Sequence, residues 1–140
     1  MSADLVWQII RNNHAFLKRQ RGVCKTFSKE PGNLKGINSP RLNGIANRNV
    51  FAIQPAAAGT KGLVFTTSRP IGSRKVKQNN RRSNLKRGAR PSYRTIRNSL
   101  RGAGAPRKIR SLALRRASAI LSSQRVKPAE AKTEKSKTKK

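Results

Sequence analysis

Acidic residues are the scarcest feature of this chain. Its 140 residues include 4 acidic and 34 basic ones, and its formal net charge is +30. Between Ile71 and Gln124 there are 16 basic residues and no Asp or Glu at all. Such a chain cannot neutralise its own charge, so we expect the counter-charge to come from a partner. The four carboxylates are too scattered to predict a paired acid–base site.

Cysteine and histidine are almost absent, with one of each at Cys24 and His14. A single cysteine excludes an intrachain disulfide framework and favours a reducing compartment, the cytosol or the nucleus. One His and one Cys do not complete a zinc site, and no carboxylate is evident that would orient a Cys–His nucleophile. Without a Gly-Lys dipeptide there is no Walker loop. We therefore expect no enzyme activity, metal, cofactor or small-molecule substrate.

Long hydrophobic runs are also missing, since none approaches the ~20 residues needed to span a bilayer. The run LVWQII is short, follows Asp4 and lacks the basic residues that begin a signal peptide. The sequence therefore predicts no membrane partner.

Aromatic residues are few and unevenly placed. Trp7 and all four phenylalanines precede residue 70, whereas only Tyr93 follows it. This skew predicts a small globular part first and a polyelectrolyte-binding part after it. The predicted divisions are an α+β unit over 1–69, an extended basic segment over 70–91, two helices over 92–124 and a Lys-rich flexible tail over 125–140.

The first unit reads as one helix and two hairpins. Residues 2–13 have helical apolar spacing with Ser2 as N-cap, although the β-branched residues leave a strand possible. Residues 15–28 predict a hairpin, and 49–55 with 62–68 predict a second one. The fold class is therefore α+β: a small antiparallel sheet of two hairpins with an N-terminal helix, an extended basic segment and two C-terminal helices.

The stretch RRSNLKRGAR, residues 81–90, has few apolar residues and no steady period. We expect it to lack a stable shape of its own and to thread along folded RNA. Two amphipathic helices then follow, the first capped by Ser92 and ended by Gly102, the second with Pro106 in its first turn. Their predicted buried residues are Tyr93, Ile96, Leu100 and Ala103 in the first helix, and Ile109, Leu112, Ala113, Ala117, Ile120 and Leu121 in the second.

The choice of basic residue points to nucleic acid. Between 71 and 124 arginine outnumbers lysine twelve to four. The planar guanidinium group of arginine can donate two hydrogen bonds to one phosphate. Phosphate binding releases condensed counterions, which makes RNA or DNA the natural partner. No helix-turn-helix or zinc-finger pattern predicts sequence-specific duplex reading. The run KGLVFTT is similar to the aromatic strand of an RNA-recognition domain, but only Phe65 could stack on a base, so a plain core strand is favoured.

Four stretches occur in an order that closely resembles the eukaryotic large-subunit ribosomal protein family numbered twenty-eight. They are SADLVWQIIRNNHAFL, FSKEPGNLKGINSPRLNGIANR, PAAAGTKGLV and LRRASAIL. The resemblance implies a cytosolic large-subunit component, a small α+β fold with extended basic parts, ribosomal RNA as main partner and neighbouring ribosomal proteins. It supports seven positions in shared motifs: Arg11, Asn12, Lys35, Asn38, Arg41, Arg115 and Arg116.

The basic side chains of the later segments complete the predicted RNA-binding set. They are Arg74, Lys75, Lys77, Arg81, Arg82, Lys86, Arg87, Arg90, Arg94, Arg97 and Arg110. The predicted localisation is the cytosolic ribosome, with transit through the nucleus and nucleolus during assembly. Two alternatives stay open: a ribosome-assembly factor, whose relatives tend to carry acidic extensions, and a chromatin-associated basic protein, whose tails are dominated by lysine throughout.

Overall fold

The computed structural model describes residues 2–57, 60–68 and 80–125, and it is an α+β fold, as predicted. Within these residues the strands form two antiparallel sheets, one of two strands and one of three, rather than the single sheet expected. The helices are α1 (Ala3–Ile10), α2 (Ala89–Gly102) and α3 (Arg107–Ser123). The strands are β1 (Leu17–Lys18), β2 (Phe27–Ser28), β3 (Val50–Pro55), β4 (Leu63–Ser68) and β5 (Asn80–Leu85).

Helix α1 begins where the sequence predicts. The Ser2 hydroxyl accepts a hydrogen bond from the Leu5 amide at 3.3 Å, and Asp4 lies in the first turn. The hydroxyl satisfies a free N–H group at the helix start, and the carboxylate interacts favourably with the positive end of the helix dipole. The helix ends at Ile10, earlier than expected, with Arg11 as C-cap. The alternative of a strand is wrong.

Both predicted hairpins form. In the first, β1 pairs with β2, and Gly22 in the connection has a positive φ of 79° that favours glycine. In the second, β3 pairs with β4 along six residues, with Ile53 opposite Phe65. Phe65 is 2% exposed, so it is a core residue, as favoured from the sequence.

Strand β5 corrects the prediction for RRSNLKRGAR. Strand β5, which includes the first five residues of that stretch, pairs with β4, so that Leu85 lies opposite Leu63 and Ser83 opposite Phe65. The expectation of no stable shape is therefore wrong here. An edge strand is hydrogen-bonded to a neighbouring strand on one side only. The hydrogen bonds to β4 order this strand, although it has too few apolar residues to be ordered by burial.

Helix α2 also begins earlier than predicted, at Ala89 with Gly88 as N-cap. Ser92 is not the cap: it is buried, and its hydroxyl donates to the carbonyls of Arg87 and Gly88 at 3.0 Å. Pro91 is tolerated because first-turn residues need no amide donor. The predicted end at Gly102 is confirmed. Pro106 is the N-cap of α3, one position before the predicted first turn.

The core lies where α3 packs on β3 and β4, with α2 packed beside α3. The C-terminal helices therefore pack on the predicted front unit. Ala113 and Ala117 are fully buried, and their small side chains allow close approach of the backbones. The predicted apolar faces are confirmed, since each of their residues is buried or packs against the core. The buried apolar residues of this core are Leu34, Phe51, Ile53, Leu63, Phe65, Ile96, Leu100, Ala105, Ala113, Ala117 and Ile120.

Gln124 connects the end of α3 to the start of β4. Its Oε1 accepts from the Gly62 amide and its Nε2 donates to the Gly62 carbonyl, both at 2.9 Å. Replacing Gln124 with alanine is expected to lower the free energy of unfolding by about 1–2 kcal/mol, because both backbone groups lose a partner. Urea denaturation measures the loss. The exposed Ser122→Ala is the control, and an equal effect of the two variants would contradict the connection.

Candidate nucleic-acid interface

The clearest basic surface is a row of arginines on α2, which we call the arginine stripe. It consists of Arg90, Arg94, Arg97 and Arg101, all exposed. Spacings of four, three and four residues place them on one side of a helix. At 1.5 Å per residue the stripe is about 16 Å long, enough to follow several phosphates of an RNA backbone.

A separate, buried face of α2 fixes the stripe in place. Ile96 and Leu100 are completely buried against the core. The two hydrogen bonds of the Ser92 hydroxyl hold the first turn to the loop before it. The arginines are therefore presented by a helix that is already anchored, which lowers the ordering cost of binding.

The stripe has no counter-charge within the described part of the chain. The two acidic residues found there are Asp4, on α1, and Glu30, which is 4% exposed and accepts a hydrogen bond from the Asn33 side chain at 3.0 Å. Neighbouring cations at these helical spacings repel one another. An added anion would therefore relieve repulsion as well as gain contacts.

Helix α3 adds a second basic surface. Arg115 and Lys108 are exposed on the side away from the core, in line with Ser111, Ser118 and Ser122 as predicted. Arg116 is exposed at the flank, where it lines a hollow of about 400 Å³ together with Glu30. Arg110 is half-buried, and its Nε has no hydrogen-bond partner within the described residues.

Strand β5 divides its two arginines between the faces of the sheet. Arg82 lies opposite Thr66 and lines a hollow of about 480 Å³ on the face away from α3. Arg81 lies opposite Thr67 and so points to the other face, because side chains alternate along a strand. Lys86 and Arg87 are exposed in the connection to α2. Of these four predicted residues, Arg81 and Arg82 lie on different faces of the sheet.

Two of the front residues are joined. The Asn38 side chain donates to the Arg11 carbonyl at 2.7 Å, so Asn38 connects the end of α1 to the loop after β2. Asn12 and Lys35 are exposed. Arg41 lines a hollow of about 320 Å³ that Arg48 and the α2–α3 link also line. RNA contact by these five predicted residues remains a prediction. Arg74, Lys75 and Lys77 lie outside the described residues.

Sequence reasoning missed Arg101 and Lys18. Arg101 could have been found, because it continues the spacing of the three predicted arginines before it. The strand register pairs Lys18 with Phe27, which places Lys29 diagonally across the first hairpin from Lys18. The neighbouring ammonium group of Lys29 lowers the pKa of Lys18 below the ordinary 10.5, because a like charge disfavours the charged form. An anion such as phosphate beside the two lysines would relieve this repulsion.

This lysine pair gives a prediction. Replacing Lys29 with alanine is expected to return the pKa of Lys18 toward 10.5, since the neighbouring cation is its main cause of perturbation. An RNA phosphate at the pair should raise the same pKa, because it favours the charged form. NMR titration of the Lys18 side chain measures both shifts. A pKa that does not move in the variant would contradict the pairing, and Lys25→Ala is the control.

The described segments bear on metal binding, thiol chemistry and membrane insertion. No group of three or more His, Cys, Asp or Glu residues lies close enough there to hold a metal ion. Cys24 is exposed with a free thiol. Among the described helices, none combines the length and apolar character that crossing a bilayer requires.

The chain is similar to proteins of known family along most of its length. The model of the Ribosomal L28e protein family matches residues 5–123. A Caenorhabditis elegans relative, large ribosomal subunit protein eL28, is 43% identical over 124 residues, which are 89% of this chain and 91% of the relative. The protein of the same name from Schizosaccharomyces pombe is 34% identical over 130 residues, 91% of this chain and 96% of the relative. The chain therefore belongs to the ribosomal L28e protein family.

Proposed function

We propose that this protein is a structural component of the cytosolic large ribosomal subunit and that it stabilises folded ribosomal RNA by neutralising phosphates. A member of a ribosomal protein family is a structural protein, not an enzyme. The proposed mechanism makes no covalent bond: cations on a rigid fold hold phosphate groups of RNA that would otherwise repel one another. Transit through the nucleus during assembly is part of the proposal.

The observation that carries the mechanism is the arginine stripe. Its four guanidinium groups are exposed, whereas a separate face of α2 is buried in the core. Guanidinium forks bind phosphate oxygens in pairs and can also stack on bases. A row of them on an anchored helix is suited to a backbone of regularly spaced charges.

Other basic residues, some of them outside the predicted set, take supporting roles in this proposal. Arg115 and Lys108 extend the basic surface onto α3, and the Lys18–Lys29 pair supplies a separate phosphate site on the first hairpin. The predicted residues Arg74, Lys75 and Lys77 remain part of the proposed RNA-binding set.

Fractionation tests the assignment to the particle. A tagged chain is expressed in cells, and a lysate is separated on a sucrose gradient at moderate and at high salt. We expect the chain to remain with large subunits and polysomes after the high-salt wash. Sedimentation only with nuclear precursor particles would favour an assembly factor, and release into a chromatin fraction would favour the chromatin alternative. Either result would overturn the proposed function.

A further inference from the structure

Helix α1 has an apolar surface that the described residues of the chain leave uncovered. Six of its eight residues are Leu, Val, Trp, Ile or Ala, yet none of its residues is buried. Leu5 is 52% exposed and Ile9 66% exposed, although a helix that is apolar on most sides normally lies inside a protein. The two side chains are four residues apart and share one face.

Two contacts connect the helix to the rest of the chain. At its end, the Arg11 carbonyl accepts the hydrogen bond from the Asn38 side chain at 2.7 Å. At its start, Ala3 lines the hollow that Arg41 and the α2–α3 link also line. Each end of α1 therefore lies against another part of the chain, while the face formed by Leu5 and Ile9 stays open to a partner.

The charge of α1 indicates a different partner from the one that the basic parts of the chain bind. Residues 2–10 contain no Lys or Arg, and Asp4 is exposed there. A phosphate backbone would meet a carboxylate and apolar side chains with no cation to neutralise it, which argues against RNA. A second copy of this chain would bring one net charge of +30 against another, which argues against a homodimer.

We infer that α1 docks in an apolar groove of another protein of the same particle, with a basic side chain of that protein beside Asp4. The inference rests on the proposed function, because it requires a particle in which a basic protein is a neighbour. Leu5 and Ile9 fill the groove. Burying aliphatic side chains removes apolar area from water, which favours association.

Photo-crosslinking within purified large subunits tests the partner class. A benzophenone amino acid replaces Ile9 in one chain and Arg94 in another, and both are irradiated in the assembled particle. We expect the adduct at Ile9 to be a protein, to survive nuclease and to be removed by protease. We expect the adduct at Arg94 to be RNA. An RNA adduct at Ile9, or none, would overturn the inference, whereas no RNA adduct at Arg94 would count against the proposed function instead.

Substitution gives a second readout. The double variant Leu5→Ser, Ile9→Ser should fold, since both side chains are largely exposed. Its retention in salt-washed subunits is expected to fall on the order of tenfold or more, because two aliphatic side chains that the partner's groove would bury are lost. Its affinity for isolated ribosomal RNA, and the salt dependence of that affinity, should not change. Val23→Ser removes an equally apolar side chain, 41% exposed, outside α1 and is the matched control. Unchanged retention, or an equal loss of RNA affinity, would refute docking on protein.

Discussion

Replacing the four residues of the arginine stripe with glutamine is expected to weaken binding to ribosomal RNA by a factor on the order of a thousand at 0.1 M salt. The logarithm of the binding constant falls as the logarithm of the salt concentration rises. Each lost phosphate contact makes this slope shallower by about 0.7–0.9. Four contacts therefore account for a change in slope of about 3. Filter binding or fluorescence anisotropy over a series of salt concentrations measures the affinity and the slope together.

The same variant is expected to be more stable than the parent protein. Neighbouring like charges at i, i+3 and i, i+4 destabilise a helix by about 0.2–0.5 kcal/mol per pair, and the stripe has three such pairs. Glutamine has nearly the same helix propensity as arginine. Urea denaturation should therefore show a gain of about 1 kcal/mol. Weaker binding together with higher stability separates a binding role from a structural one.

Two controls define what the stripe contributes. Replacing the four arginines with lysine keeps the charge, so the salt slope should be retained while the paired hydrogen bonds of the guanidinium forks are lost. Replacing the exposed Thr95 and Asn98 with glutamine changes α2 without removing a cation. If the four-glutamine variant bound RNA with the parent slope, the stripe would not be the main contact surface.

The sequence predicts well those elements that carry their own signal. Helical periodicity located the buried side of α2 and α3, because Ile96, Leu100, Ala113 and Ala117 repeat with the helix. Cap and turn chemistry located the start of α1 and the first hairpin. Each of these depends on residues close together in the chain, and a pattern can report such local preferences.

The elements that were predicted wrongly depend on distant residues. Strand β5 is stabilised by pairing with β4, and only Leu85 among its residues packs on the core. Ser92 has the composition of a cap, but its hydroxyl bonds to the preceding turn because α2 starts earlier. The separation of Arg81 from Arg82 follows from the same strand, since a disordered segment would have allowed both to reach one phosphate backbone.

Substituting Gly62 with alanine is expected to destabilise the three-stranded sheet strongly. Gly62 is buried, precedes β4 and has a φ of 128°, a conformation that residues with a Cβ adopt at a cost of about 1–3 kcal/mol. An added Cβ would lie 2.6 Å from the Leu85 carbonyl oxygen and 3.2 Å from the Lys86 Cα. Both neighbours are backbone atoms at the end of β5, so neither can move without disturbing the β4–β5 pairing.

We expect a loss of about 2–4 kcal/mol in the free energy of unfolding, a large part of the 5–15 kcal/mol typical of a domain. Gly88→Ala is the matched control. Gly88 lies at the end of the connection between β5 and α2, and an added Cβ there meets nothing within 4 Å. Thermal and urea denaturation of both variants measure the difference.

Hydrogen exchange should show that the Gly62 variant loses protection first in β5, because that strand is at the edge of the sheet and is paired with β4. Equal stability of the two variants would mean that the end of β5 adapts without cost, and that order in this basic strand does not depend on its close contact with Gly62.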